Sequence, residues 1–313
     1  MKNGGINLDV SVVGELNLDL ILYGLPEDLE PEREHLADRL ALTLGSSSAI
    51  FAHNLATLGS RVGFISRIGE DPLGRISLDR LSAGGVDVSK VRKTPGPTAT
   101  GLTVILAHSS FRHILTYPGT MFEMNYDDLD LDYLASARHF HLSSYFLHRA
   151  LQPRIPELFR NMKERGLTTS LDTNDDPEDT WKGGLWDTLR HVDVFLPNER
   201  EALKITGCDT LRTAVSRLAA VVPLVVVKLG PQGALARRGE EEVTSPCVRV
   251  DFVDPVGAGD SFDAGFIHQY VRGADLATCL AWGNRAGAFS TTRPGGTEAF
   301  RDRDHFRSFF TLP

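Results

Sequence analysis

Short runs of aliphatic and β-branched residues alternate with amphipathic stretches through most of the chain. The apolar runs at residues 10–14, 102–107, 139–144, 167–173, 192–197 and 224–230 predict β-strands. Segments between them, such as PELFRNMKERG (residues 156–166), have helical apolar spacing and end in a glycine that suits a C-cap. Near-continuous Val/Leu strands separated by helices are typical of sheets covered on both faces. The pattern therefore predicts an α/β fold with a doubly wound, mostly parallel sheet.

Two segments depart from this alternation. Residues 16–44 and 98–117 carry alternating strand patterns without an intervening helix, and GLTVILAHSSFRHILTYPG indicates a hairpin that turns at HSSF. We expect these strands to form a small second sheet that projects from the main one. The alternative is that they are edge strands of the main sheet. No repeat or low-complexity linker interrupts the chain, so residues 1–313 are interpreted as a single domain.

Composition narrows the function classes. The formal net charge is -8 and no dense Lys/Arg block is present, which disfavours a nucleic-acid partner. The three cysteines are far apart and match neither a zinc signature nor a disulfide framework. Acidic residues interrupt the apolar N-terminal segment, and no apolar run approaches the roughly 20 residues of a membrane span. We expect a cytoplasmic protein without a membrane partner.

Polar residues at the ends of the predicted strands are the first candidates for a site, because ligands of open parallel sheets bind beyond the carboxyl ends of strands. These candidates are Asn17, Asp19, Asp172, Asn174, Asn198, Lys228, Gly230 and the segment 254–260. Common signatures nearby are incomplete. The GEDPLGRIS stretch lacks the Lys-Ser/Thr pair of a P-loop, and VGAGDSFDAG lacks the third glycine of a dinucleotide fingerprint.

The stretch VDPVGAGDSF (residues 253–262) suggests a specific chemistry. After a strand expected to end near Val253, Gly257, Ala258 and Gly259 form a turn of small residues that leads into a helix. Backbone N–H groups at such a turn converge into an anion site. A carboxylate there would repel bound phosphate, so Asp260 makes sense as the group that takes a proton from an attacking hydroxyl. The alternative is that Asp260 is only the N-cap of the helix.

Two further clusters fit phosphoryl transfer. In NEREALKITG, Asn198 and Glu201 are three residues apart at a predicted helix start, where they could hold water around Mg²⁺; a capping arrangement is the alternative. In VKLGPQGAL, Gly230 and Gly233 would let a flat ligand approach closely, and an ordinary hairpin turn is the alternative.

Several of these motifs together resemble the ribokinase-like (PfkB) carbohydrate kinases. VDPVGAGDSFDAGF resembles the C-terminal signature of that family, GELNLDLI its opening strand and GEDPLGRISLDRLSAGGVDVS its N-terminal signature region. PNEREA resembles the NxxE motif, and KLGPQG resembles the nucleotide-loop motif. The resemblance implies a three-layer sandwich with a small β-sheet lid formed by residues 16–44 and 98–117. It also implies transfer of the γ-phosphate of ATP to a sugar hydroxyl, usually a terminal CH₂OH, with Mg²⁺ and possible activation by K⁺.

The resemblance also implies roles for individual residues. It makes Asp260 the catalytic base, and it assigns the anion hole to Gly257, Ala258 and Gly259. It assigns nucleotide, phosphate and Mg²⁺ to Asn198, Glu201, Lys228, Gly230, Gly233 and Asn284, with Glu201 acting on Mg²⁺ through water. It assigns the sugar to Asn17, Asp19, Gly45, Ser46, Arg112 and Ser143, and a monovalent cation to Asp254 near the TRPGG turn.

Three positions depart from the family pattern. Ser46 replaces the second glycine of the GG-x-x-x-N pattern, Ile50 replaces its asparagine, and Ser143 stands where many ribose kinases have a glutamate. An isoleucine cannot hydrogen-bond a sugar hydroxyl, so these changes argue against plain ribose. Three hypotheses remain: a kinase for a small sugar or sugar acid, a nucleoside kinase, and a non-catalytic nucleotide-binding protein. A homodimer joined through the lid is a further expectation, since GLTVILA offers exposed strand edges.

Overall fold

The computed structural model describes residues 8–310. Its β-strands are β1 (Leu8–Val13), β2 (Leu18–Tyr23), β3 (Arg39–Leu44), β4 (Val62–Gly69), β5 (Asp87–Thr94), β6 (Leu102–Ala107), β7 (Arg112–Tyr117), β8 (Ala137–Leu142), β9 (Thr168–Leu171), β10 (Val194–Phe195), β11 (Leu224–Lys228), β12 (Ala234–Arg238) and β13 (Glu241–Ser245). Its α-helices are α1 (Ser47–Thr57), α2 (Pro72–Ala83), α3 (Leu131–Leu134), α4 (Ile155–Glu164), α5 (Leu185–Leu189), α6 (Glu199–Thr206), α7 (Leu211–Ala219), α8 (Ala258–Tyr270), α9 (Leu276–Ser290), α10 (Glu298–Arg301) and α11 (Arg303–Phe310).

The main sheet is mostly parallel, as the sequence pattern predicts. Its order is β13-β12-β11-β10-β9-β8-β1-β4-β5, and only the β11–β12 and β12–β13 pairs are antiparallel. Every residue of β1 is buried, because the strand lies in the interior of the sheet with helices over both faces. The parallel strands bring their carboxyl ends to one edge, where the candidate site lies.

Alternate residues of the strands belong to two separate hydrophobic cores, one on each face of the main sheet. Along β11, Val225 and Val227 belong to the core that contains α4, whereas Leu224 and Val226 belong to the core that contains α1 and α8. This division follows from the two-residue period of side chains in a strand. It gives the three layers of helix, sheet and helix.

The second sheet is separate from the main one and has the order β3-β2-β6-β7. Strands β6 and β7 form the predicted hairpin, closed by a hydrogen bond of 2.9 Å from the His108 amide to the Phe111 carbonyl. The alternative that these segments are edge strands of the main sheet is therefore wrong. All residues of β7 are exposed, since this strand is an edge of the small sheet.

The strand expected to end near Val253 is absent. Strand β13 ends at Ser245, and residues 246–256 run irregularly to the start of α8. The amides of Val253 and Asp254 donate to the Thr291 carbonyl, at 2.8 and 3.1 Å, so the segment is held against the end of α9 rather than in a sheet. Within residues 8–310, no helix has the length and apolarity needed to cross a bilayer.

Candidate active site

A cavity of about 460 Å³ lies between the carboxyl ends of the central strands and the small sheet. It brings together most of the residues singled out in the sequence. The lining includes Asn17, Asp19, Ser46, Arg112, Asn198, Glu201, Lys228, Gly230, Gly257, Ala258, Gly259 and Asp260. Gly45, Ser143, Gly233, Asp254 and Asn284 are outside this lining.

The glycine turn has the backbone that an anion site requires. Gly257 is the N-cap of α8 with φ +73°, and a Cβ at this position would lie 2.5 Å from the Gly296 Cα. Within residues 8–310, the amides of Gly257, Gly259 and Asp260 have no acceptor, whereas the Ala258 amide donates to the Pro255 carbonyl at 3.2 Å. Two of the three predicted donors, the amides of Gly257 and Gly259, are thus free, and the third free amide is that of Asp260 instead of Ala258.

Asp260 lies at the first turn of α8 and not at its cap. Gly257 occupies the N-cap position, so the alternative that Asp260 is merely a capping residue is wrong. The Asp260 carboxyl is 8% exposed and lines the cavity. Burial and the charge of Asp172 raise the pKa of Asp260 to about 7, against the opposing influence of Lys228 and a hydrogen bond with Ser47. A carboxyl poised near neutrality suits a group that accepts a proton during a reaction.

Lys228 supplies the positive charge beneath the turn. Its Nζ lies 2.8 Å from Asp172 Oδ2 and 3.1 Å from Asp263 Oδ2. Burial alone would lower the pKa of Lys228, but the two carboxylates raise it, so the lysine stays charged. A Cβ added to Gly259 would be 3.6 Å from this Nζ. The ammonium group therefore lies next to the free amides.

Asn198 and Glu201 form the capping arrangement of α6 that was the structural alternative. Asn198 Oδ1 accepts from the Glu201 amide at 2.9 Å, and the Asn198 amide donates to Glu201 Oε2 at 2.9 Å. Both side chains also line the cavity. Burial and the charge of Asp172 raise the pKa of Glu201 to about 7. The cap thus holds a carboxyl at a fixed place in the cavity wall.

This donor set fits a hydrated Mg²⁺. No cluster of three or more His, Cys, Asp or Glu side chains that could hold a metal ion occurs within the described ranges. Mg²⁺ keeps several waters and commonly uses one or two carboxylates together with substrate phosphates. Glu201, held by Asn198, provides a single carboxylate of that kind.

The wall of the cavity formed by the small sheet carries Asp19 and Arg112. Burial and the charges of Asp260 and Asp254 raise the pKa of Asp19 to about 7. Gly45 contributes through its size, because a Cβ there would overlap the Asp19 carboxyl. Arg112 projects from β7 into the cavity and has no ion pair with the part of the chain that the structure describes. It is available for a ligand.

The two departures from the family pattern in the 45–50 region have separate structural consequences. Ser46 has φ +67°, a conformation that favours glycine, and its Oγ accepts from the Asn17 amide at 2.9 Å and contacts Asn17 Oδ1. Ile50 lies under the glycine turn, with its methyl groups 3.2–3.3 Å from where a Gly257 Cβ would be. The Ser46 hydroxyl is therefore hydrogen-bonded within the protein. Ile50 packs against the glycine turn, where the asparagine of the family pattern would offer a polar contact.

Ser143 does not lie where the prediction puts it. Its hydroxyl is 2.7 Å from His141 Nε2 and is buried, so it faces the sheet interior. The next residue, Ser144, has φ +55° and lines the cavity. The chain turns sharply after β8, so the hydroxyl that faces the cavity belongs to Ser144 and not to Ser143.

Of a polar network behind Asp260, the sequence pattern singles out only Asn174. Ser144 Oγ donates to Glu15 Oε1 at 2.8 Å, and Asn174 Nδ2 donates to the hydroxyls of Ser144, at 3.2 Å, and Ser47. Ser47 in turn acts on Asp260, because it opposes the rise in the pKa of that carboxyl. Glu15 follows β1 directly, so the strand-end rule could have found it. The serines carry no comparable signal.

Two predicted nucleotide residues have structural roles outside the cavity. Gly233 has φ +99°, and a Cβ there would overlap the Ser245 carbonyl, so it serves the turn between β11 and β12. The hairpin alternative for KLGPQG is therefore what the structure shows. Asn284 Nδ2 donates to the carbonyls of Ser245, at 2.9 Å, and Pro246, at 3.1 Å. Both residues fix the end of β13.

Asp254 accepts hydrogen bonds from three donors of the protein. Its Oδ2 accepts from the Tyr23 hydroxyl at 2.5 Å and from the Gly295 amide at 2.9 Å, and Oδ1 accepts from the Val256 amide at 2.9 Å. These three donors hold the carboxylate in place and leave part of its acceptor capacity free, and the monovalent-cation role of Asp254 stays a prediction.

Comparison with known proteins agrees with this arrangement. The pattern of the pfkB family carbohydrate kinases matches residues 7–303. An uncharacterised sugar kinase of Archaeoglobus fulgidus is 30% identical over 250 residues, which cover 78% of this chain and 96% of that protein. An ATP-dependent 6-phosphofructokinase of Thermoanaerobacterium thermosaccharolyticum is 26% identical and covers 97% of this chain and 94% of its own length. The structure of Arabidopsis thaliana ribokinase complexed with ribose and ATP superposes with a TM-score of 0.82, at 24% identity, and covers 98% of this chain and 100% of that chain.

The chain therefore belongs to the pfkB family of carbohydrate kinases, phosphotransferases that use an alcohol group as acceptor. This result confirms the resemblance drawn from the motifs, and the two sheets confirm the ribokinase-like fold.

Proposed function

We propose that the protein transfers the γ-phosphate of ATP to a hydroxyl, preferably a terminal CH₂OH, of a small sugar or sugar acid. The observation that carries this proposal is the position of Asp260. Its buried carboxyl lies in the same cavity as three amides that have no acceptor within residues 8–310. A proton acceptor beside an anion site is the combination that phosphoryl transfer to an alcohol needs.

Asp260 acts as the base in this proposal. Its carboxylate accepts the hydrogen bond of the acceptor hydroxyl and takes the proton as the oxygen attacks phosphorus. The amides of Gly257, Gly259 and Asp260 donate to the oxygens of the migrating phosphoryl group, with Lys228 beneath them. Because these donors are fixed at the start of α8, little reorganisation accompanies the developing charge.

The charge of the cavity supports ATP bound with Mg²⁺. Glu15, Asp19, Glu201 and Asp260 line it, whereas Lys228 is already paired with carboxylates. A polyphosphate would be repelled by these groups unless a divalent cation neutralised it. Mg²⁺ supplies that neutralisation and draws charge from the phosphates when bound. Glu201, positioned by Asn198, would hold its water shell.

The acceptor end supports a sugar that carries an acidic group. Asp19 and Asn17 offer hydrogen bonds to hydroxyls, and the unpaired Arg112 offers a bidentate partner for a carboxylate. A second cavity of about 950 Å³ adjoins the first and shares Ser47 and Asn174 with it. The combined space exceeds what a free pentose requires, so we favour a longer acceptor.

A nucleoside acceptor is the second candidate. The adjoining cavity has an apolar wall formed by Ile114, Phe122, Phe146 and Leu147, on which a flat base could stack. A panel of sugars, sugar acids, sugar phosphates and nucleosides, each assayed with ATP and Mg²⁺, separates the two. Turnover with sugar acids above that with nucleosides supports the first proposal, and the reverse order supports the second.

Replacement of the base tests the proposal directly. Asp260→Asn keeps the size of the side chain but cannot accept the proton, so turnover should fall about 10²- to 10⁴-fold. The dissociation constant of a non-hydrolysable ATP analogue should change little. Steady-state kinetics and calorimetric titration measure the two quantities.

Asp275→Asn is the matched control for this test. Asp275 is the N-cap of α9, and asparagine caps a helix equally well, so turnover should be unaffected. Near-normal turnover of Asp260→Asn would exclude its role as base. Binding of the ATP analogue without phosphorylation of any compound in the panel would favour a non-catalytic nucleotide-binding protein.

We also propose that the small sheet is a lid, formed within residues 16–44 and 98–117, and that its outer face joins two copies of the chain. Arg112, Ile114 and Thr116 of β7 face the cavity, so the alternate residues of the strand face away from it. Leu115 and Tyr117 on that outer side are 57% and 53% exposed. Exposed apolar side chains on one face support an interface between copies.

A further inference from the structure

A separate cavity of about 490 Å³ lies between α1, the end of α2 and the C-terminal helices α10 and α11. It shares no lining residue with the candidate active site. Its walls combine arginines with phenylalanine rings around one histidine. The lining residues are His53, Thr57, Ala83, Gly84, Phe300, Arg301, Arg303, Phe306 and Arg307.

His53 presents an unsatisfied acceptor to this cavity. The residue is 1% exposed, and its Nδ1 lies 2.8 Å from Asn54 Oδ1. Asn54 Nδ2 donates to Ser261 Oγ and to the Gly296 carbonyl, both at 2.9 Å, so Oδ1 is an acceptor and the proton is on His53 Nδ1. Burial lowers the pKa of His53 to about 4, which keeps the ring neutral. Its Nε2, beside Gly84, then offers a lone pair with no partner in the described part of the chain.

The same cavity has an excess of positive charge. Arg303 forms no ion pair with any residue in the range 8–310. Arg301 and Arg80 share one carboxylate, that of Glu298, at 2.7 and 3.4 Å. An anion that entered here would therefore find guanidinium donors that the protein has not neutralised.

From this geometry we propose that the cavity is a second ligand site, for a small phosphorylated polyol. The phosphate lies against Arg303 and Arg301, and a free hydroxyl of the ligand donates to His53 Nε2. The rings of Phe300 and Phe306 cover the carbon chain. An anion without a hydroxyl would cover the His53 lone pair and leave it without a donor, so a ligand with both groups fits the site better.

The site is connected to the catalytic turn through Asn54. The Gly296 carbonyl that Asn54 holds belongs to a residue whose Cα would be only 2.5 Å from a Gly257 Cβ. A ligand that moves His53 therefore acts on the backbone against which the turn packs. Glu298 provides a second connection, because it also accepts from Thr43 of β3 at 3.2 Å. We infer that occupancy of this site alters nucleotide binding.

Calorimetric titration of glycerol 3-phosphate tests the site. The wild-type protein should bind it, and Arg303→Glu should weaken binding at least tenfold, with Arg303→Lys between the two. Arg160→Glu, an equal charge change at an exposed arginine of α4, is the control and should bind as the wild type does. Equal affinity of wild type and Arg303→Glu would overturn the proposal, since binding would then be located elsewhere.

Methyl phosphate, which has no free hydroxyl, tests the role of His53. It should bind at least fivefold more weakly than glycerol 3-phosphate to the wild type, and equal affinities would overturn this role. For coupling, the dissociation constant of the non-hydrolysable ATP analogue is measured with and without glycerol 3-phosphate. A change in the wild type that disappears in Arg303→Glu supports regulation, and an unchanged constant excludes it. If the analogue fails to bind under either condition, the proposed kinase function is at fault rather than the second site.

Discussion

At the scale of single residues, two carboxyls of the cavity, those of Asp19 and Asp260, have raised pKa values. Burial raises the pKa of each to about 7, and the charge of Asp260 adds to the shift of Asp19. To act as the proposed base, Asp260 must be ionised in the free enzyme. The value of kcat/KM should therefore rise with pH through about 7 and reach a plateau above it. A pH profile of kcat/KM checks this, and a profile that is flat between pH 5.5 and 8.5 would contradict the assignment.

The same shifts predict how stability depends on pH. The folded state holds the proton of Asp19 up to about pH 7, whereas the unfolded chain loses it near pH 3.8. Stability from this group is therefore lost as pH rises through that window. Asp19→Asn cannot ionise, so at pH 8 its free energy of unfolding should exceed that of the wild type by about 2–4 kcal/mol. At pH 4 the difference should be small, and urea unfolding at both pH values measures it.

The sequence predicts that a residue lines the cavity where its position in the chain, relative to strands and helices, is enough to place it there. Asn17 lies between β1 and β2, Asp19 lies at the start of β2, and Asn198 and Asp260 lie at the starts of α6 and α8. The search for polar residues near strand ends therefore finds them. Ser143 was not predictable to the residue, because the positive φ of Ser144 reverses which hydroxyl faces the cavity. Such a local turn leaves no pattern of polar and apolar positions.

At the scale of secondary-structure elements, the sequence predicts a strand correctly where a neighbouring strand is available to pair with it. The alternating apolar residues of 246–253 read as a strand, yet Phe252 and Val253 are 65% and 42% exposed and no strand forms there. Alternation indicates a strand only if a neighbouring edge can pair with it. In contrast, the hairpin of β6 and β7 carries its own partner, so the sequence predicts it correctly.

A hydrogen bond joins the small sheet to the segment before the glycine turn. Tyr23 of β2 donates to Asp254, whose other oxygen accepts from the Val256 amide next to Gly257. Tyr23→Phe removes this hydrogen bond and leaves the buried carboxylate with one donor fewer. The loss should cost about 1.5–3 kcal/mol of free energy. We expect kcat/KM to fall roughly 10- to 100-fold in steady-state kinetics.

Tyr117→Phe is the control for that change, because this tyrosine also lies on the small sheet but is 53% exposed. It should behave like the wild type. If both variants behave alike, the contact between Tyr23 and Asp254 does not position the turn.

At the scale of the whole molecule, the small sheet presents an apolar face that no other part of residues 8–310 covers. Leu40 of β3 is 60% exposed and Leu115 of β7 is 57% exposed, and both point away from the cavity side of the sheet. Burial of this face in a second copy would remove apolar surface from water and hold the two lids together. The expected assembly is a dimer at micromolar concentration.

Leu115→Lys should convert this dimer to a monomer, because two unpaired charges would meet at the centre of a symmetric apolar interface. Phe252→Lys is the matched control. Phe252 is 65% exposed but lies outside the small sheet, so its replacement should leave the dimer intact. Sedimentation velocity of the three proteins measures the assembly. If the wild-type protein is a monomer, the proposed interface does not form. If only Phe252→Lys dissociates the dimer, the interface lies elsewhere.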